Sequence, residues 1–122
     1  MGKYERPLIK RHCDRDYLHQ RHEINFWVPL SDNCGGTNSL YAESSPGLED
    51  FHPFEVKVGE FIKFYGNHCI HYVEQNTTEY TRVSFDFRVI RISDFDNLPV
   101  ESLTNQGKNP FLPGEYYETC II

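Results

Sequence analysis

The chain has 122 residues, room for one small domain, with 39% hydrophobic and 15% aromatic residues. Its formal net charge is −6 and no basic run stands out, which argues against a nucleic-acid partner. No leader pattern is evident and no apolar run is long enough to cross a membrane, so a soluble, cytoplasmic protein without a membrane partner is expected.

Nine Phe and eight Tyr against a single Met favour strands over helices. In chain order, "KRHCDRDYLHQRH" sets His12 and Asp14 one residue apart, just ahead of the first clear strand. That strand is "EINFWVPL", 23 to 30. It puts Ile24, Phe26, Val28 and Leu30 on one face and Glu23, Asn25 and Trp27 on the other. "SDNCGG" is a turn cluster, and "TNSLYAES", 37 to 44, is a second strand stopped by "SPG". "FHPFEVKV" leads into "GEFIKFYG", punctuated by Gly59 and Gly66. "CIHYVE", 69 to 74, is a short strand, and "TRVSFDFRVIRI", 81 to 92, is the longest. From Ser93 to Ile122 the chain is rich in Asn, Pro and Gly and reads as irregular. Many short strands with turn signals between them predict an all-β sandwich or barrel in a single domain, 1–122, with its core in 10–92. The cysteines, at 13, 34, 69 and 120, form no CxxC motif and are expected to be free thiols.

Three positions make one chemical proposal. His-x-Asp at a strand end turns both side chains to one face, and a histidine arriving from a distant strand completes a two-histidine, one-carboxylate set for Fe(II). His12 and Asp14 are the pair, and His71 is the distal ligand. His68 differs from His71 by an odd number of positions and should face away, as should Cys13 between the first two ligands. Further on, Arg82 and Ser84 share a strand face and together suit a carboxylate, because a guanidinium fork matches two oxygens. Asp86 and Arg88 continue that face, so a charge ladder is the competing reading.

The pattern of HxD, distal His and Arg-x-Ser resembles the Fe(II)/2-oxoglutarate-dependent oxygenases. "EINFWVPLSDNCGGTNSLYAESSPG" and "VGEFIKFYGNHCIHYVEQNTTEYTRVSFDFRV" are similar to segments of the phytanoyl-CoA dioxygenase-like group, in its streptomycin-biosynthesis-type branch. The resemblance implies a double-stranded β-helix, or jelly roll, of cupin-like kind. It implies Fe(II) on His12, Asp14 and His71, and 2-oxoglutarate held at its far carboxylate by Arg82 and Ser84. Asn25 would hydrogen-bond the cosubstrate. The substrate would be a small molecule, and no catalytic residue beyond the metal ligands is required. A non-oxygenase cupin (a sugar isomerase or a small-molecule-binding module) and a truncated, inactive homologue are the alternatives.

The group's usual N-terminal helices and first strand have no counterpart in the eleven residues before His12. If Arg82 and Ser84 face inward, Val83, Phe85, Phe87 and Val89 form an apolar row outside. That row predicts a homodimer or a missing N-terminal portion.

Overall fold

Two antiparallel sheets carry the structure, a computed structural model that describes residues 9–95 together with Tyr117, Glu118 and Cys120. Among these residues the chain is all-β apart from two short 3-10 turns, Asp14–Tyr17 and Ile92–Asp94. The strands are β1 (Ile9–His12), β2 (Ile24–Pro29), β3 (Leu40–Ala42), β4 (His52–Pro53), β5 (Ile62–Phe64), β6 (His71–Val73) and β7 (Ser84–Val89). One sheet runs β1-β6-β3-β4 and the other β5-β2-β7. Several elements are shorter than expected: the strand read at 37 to 44 keeps only Leu40–Ala42, and that at 81 to 92 keeps Ser84–Val89. Most of the segment read as irregular, 93–122, lies outside the described residues. No helix among the described residues is long and apolar enough to cross a membrane.

The core lies between the sheets. Trp27, Cys34, Ala42, Phe54 and Val56 are buried together, with Leu40, Ile62 and Phe64 packed against them. Trp27 meets Phe54 edge to face, and Phe54 meets Phe64 in the same way. All four cysteines are free, three of them buried.

The alternation of β2 holds, and its inward face is the more polar one. Glu23, Asn25, Trp27 and Pro29 are buried, whereas Ile24, Phe26 and Val28 are half-buried and Leu30 is exposed. The register with β7 explains this. Ile24, Phe26 and Val28 lie opposite Val89, Phe87 and Phe85, while Asn25 and Trp27 lie opposite Arg88 and Asp86. The apolar residues of both strands therefore pair across the outer face, where Phe26 stacks on Phe87 and Phe61 abuts Phe26. Val83, Phe85, Phe87 and Val89 are between 45% and 52% exposed there. The polar inner faces meet at one end of the sandwich, and that end holds the site.

Candidate metal centre

His12 ends β1 and stands directly opposite His71, the first residue of β6. The pairing slips between Ile9 and His12, so β1 carries one extra residue just before the site. A bulge of this kind re-aims the side chains at its end. The two imidazoles lie on one face, 4.4 Å apart between ring centres. Asp14 is no longer on the strand. The chain turns into the 3-10 turn Asp14–Tyr17, pinned by Asp16, whose carboxylate accepts the Cys13 N–H at 2.9 Å. Asp14 N–H donates to the Gly66 carbonyl at 2.9 Å, which ties this turn to the loop before β6.

His12, Asp14 and His71 thereby form a group that could hold a metal ion, their ligand atoms all within 4.8 Å of one another. Asp14 Oδ1 lies 3.1 Å from His71 Nε2 and 4.0 Å from His12 Nε2. Each imidazole is anchored from behind. His12 Nδ1 donates to the Lys10 carbonyl at 2.7 Å, and His71 Nδ1 to the Cys69 carbonyl at 3.0 Å. A carbonyl can only accept, so Nδ1 carries a proton in each ring and Nε2 is the ring atom left to face Asp14. The two Nε2 atoms and Asp14 Oδ1 thus face one another, placed to share a proton or to hold a cation.

Asp14 is 1% exposed, and its other oxygen is fully engaged. Oδ2 accepts Asn25 Nδ2 at 2.7 Å and Arg88 Nε at 2.9 Å. Burial alone would raise the Asp14 carboxyl. Hydrogen bonds from His71, Arg88 and Asn25 outweigh it and hold the group well below the ordinary carboxylate range. The same Arg88 Nε also lies 3.2 Å from Oε1 of Glu23, which is wholly buried. Glu23 also meets His19 at 2.8 Å and accepts the Tyr117 hydroxyl.

Asn25 was expected to bond a cosubstrate; it is 1% exposed and its amide bonds Asp14 and, through Oδ1, the Gly66 N–H at 3.2 Å. Its contacts are thus with the ligand carboxylate, because β2 runs directly behind the Asp14 turn. Arg82 and Ser84 share the inner face, Ser84 opposite Pro29. The Arg82 guanidinium lies 5.7 Å over the Trp27 ring, where burial lowers its pKa from the usual arginine value. Trp27 is the next inward residue of β2 after Asn25, so about 7 Å along the strand separates those two side-chain rows. His68 is outside the group and stacks on Tyr65, and Cys13 turns its thiol to the His68 carbonyl. The ladder contact of Arg88 with Asp86 exists at 3.4 Å, but the contact of Arg88 with Asp14 is shorter. Arg88, Glu23 and Gly66 were not legible as site residues. The one signal was parity, since Glu23 and Arg88 share the faces of Asn25 and Ser84.

Fold and site together define an all-β protein of two antiparallel sheets with a His–Asp–His group at one end. No family model matches the chain, and no solved structure matches it. It is similar to the streptomycin biosynthesis protein StrG of Streptomyces griseus, 36% identical over 108 residues that cover 88% of this chain and 49% of that protein. The chain thus spans about half the length of the curated relative it matches.

Proposed function

We propose that this chain forms the metal-binding jelly-roll domain of an Fe(II)/2-oxoglutarate-dependent oxygenase that oxidises a small molecule. The observation that carries the reading is the meeting of three ligand atoms: Nε2 of His12, Nε2 of His71 and Oδ1 of Asp14. Two imidazoles and one carboxylate are the donor set of non-haem Fe(II) sites with open positions.

Strand order supports the fold. An eight-stranded jelly roll has its first, eighth, third and sixth strands in one sheet and its second, seventh, fourth and fifth in the other. Leaving out the first strand turns these orders into β7-β2-β5 and β1-β6-β3-β4, the orders found among the described residues. The likeness to a streptomycin biosynthesis protein supports a small-molecule, biosynthetic substrate.

In this reading His12, Asp14 and His71 hold the iron. Iron and 2-oxoglutarate, when bound, supply oxygen activation coupled to decarboxylation of the oxo acid to succinate. Arg82, seated on Trp27 one inward row from Asn25, receives the far carboxylate of the dicarboxylic acid with Ser84 beside it. Phe64 packs against the core that holds Trp27 and lies edge-on to His71. Asn25 and Arg88 keep Asp14 ionised and oriented.

The test is succinate release. The chain supplied with Fe(II), 2-oxoglutarate, a reductant and air should form succinate, and His71→Ala should not. Iron uptake without succinate would favour the non-oxygenase cupin, and absence of iron uptake would overturn the metal reading.

A further inference from the structure

Asp14 has two oxygens, and the structure treats them differently. Oδ1 faces both Nε2 atoms, at 3.1 and 4.0 Å. Oδ2 accepts two donors, Asn25 Nδ2 at 2.7 Å and Arg88 Nε at 2.9 Å. A carboxylate oxygen has two lone-pair positions, so these donors saturate Oδ2. Neither donor is loosely held. Asn25 is 1% exposed and its Oδ1 accepts the Gly66 N–H, while Arg88 Nε is also 3.2 Å from the buried Glu23 carboxylate.

We infer that Arg88 and Asn25 are positioning residues that restrict Asp14 to a single ligand oxygen, and so set how many positions on the cation stay open. The inference rests on the metal reading above. Two imidazoles and one carboxylate oxygen leave about three places of an octahedral ion for cosubstrate and oxygen. A carboxylate free to chelate through both oxygens would occupy one of them. Arg88 guards that place from outside the cation's own ligands, and Glu23 supplies a buried opposite charge beside the same guanidinium. Glu23, just before β2, and Arg88 on β7 carry opposite charges and meet at 3.2 Å, which gives the wholly buried carboxylate a partner though no ligand role requires it.

The probe is Mn(II) alone, bound to the folded chain, with inner-sphere water counted by proton relaxation. The wild-type protein is expected to carry about three exchangeable waters. Arg88→Gln is expected to bind Mn(II) and lose about one third of that relaxivity, as Oδ2 takes a coordination position. Arg88→Lys, which keeps a cationic donor, should restore most of it, an outcome that a merely structural role would not produce. If Arg88→Gln does not fold, the double variant Glu23→Gln/Arg88→Gln removes the buried charges together and should show the same drop. A variant that binds one Mn(II) with unchanged water count would overturn the inference and leave the metal reading intact. Failure of the wild-type chain to bind Mn(II) or Fe(II) would overturn both.

Discussion

Gly66 and Asn25 fit together only because residue 66 has no side chain: a Cβ there would lie 2.6 Å from Asn25 Nδ2. The loop before β6 therefore touches the same amide that steadies Asp14, while its carbonyl accepts the Asp14 N–H. Gly66→Ala should push Asn25 off Asp14 without removing any ligand. Partners behind a metal ligand typically contribute about 10–100-fold in affinity. Calorimetric titration of Gly66→Ala with Co(II) should show a loss of about tenfold or more, with a circular dichroism spectrum still rich in strand. Unchanged affinity would show that Asn25 does not govern Asp14.

Arg82 and the triad should separate in their effects. A hydrogen-bonded charge contributes about 1.5–3 kcal/mol, so Arg82→Ala should weaken 2-oxoglutarate binding by roughly ten- to a hundredfold. Arg82→Lys should also be harmful, because it keeps the charge and loses the fork. Metal affinity should stay near the wild-type value in both. Equal loss of metal and cosubstrate would mean that Arg82 supports the fold from its seat on Trp27 and is not an anchor.

The outer face of β7 predicts self-association. Phe85 and Phe87 are 47% and 45% exposed, in a row with Val83 and Val89. Substitution of either by Ser should cost less than about 1.5 kcal/mol, since full burial of such a side chain is worth about 1.5–3 kcal/mol. Sedimentation velocity across micromolar concentrations should show a dimer that the double Ser variant abolishes. A wild-type monomer throughout would rule out a second copy on this face.

Acid should loosen the loop after β3. Glu43 accepts the backbone N–H groups of Glu49 at 2.9 Å and Ile70 at 2.8 Å, and these bonds hold its pKa below the usual 4.5. A depressed carboxyl stabilises the fold fully above its unfolded value, and this is lost as pH falls through the folded value. Denaturant titrations of wild type should therefore weaken below about pH 4.5 more than those of Glu43→Gln. Parallel curves for the two proteins would contradict this role.

Much of this was legible where the period of two persists. The parity of 23–30 and of 82–89 gave the correct faces; His71 rather than His68 joins the ligand group, but because His68 lies in the turn before β6, not through strand parity. The all-β class followed from aromatic and turn content. What sequence could not supply was register. Only the pairing of Asn25 with Arg88 across β2 and β7 brings that guanidinium to Asp14, and a shift by two residues would have put Asp86 there with the same pattern. The reach from β1 to Asp14 was hidden for a similar reason, because a bulge and a 3-10 turn carry it where His-x-Asp alone suggests a plain strand. Asn25 was assigned to the cosubstrate since nothing in the local sequence announces that Gly66 and Asp14 enclose its amide.

The most direct test of the metal centre is anomalous scattering from crystals of the chain grown with Fe(II) under anaerobic conditions, with data collected across the iron absorption edge. The account predicts one strong peak bounded by His12 Nε2, Asp14 Oδ1 and His71 Nε2, lost in His71→Ala and kept in His68→Ala. A peak elsewhere, such as between His19 and Glu23, or no peak in crystals that hold iron in solution, would contradict it.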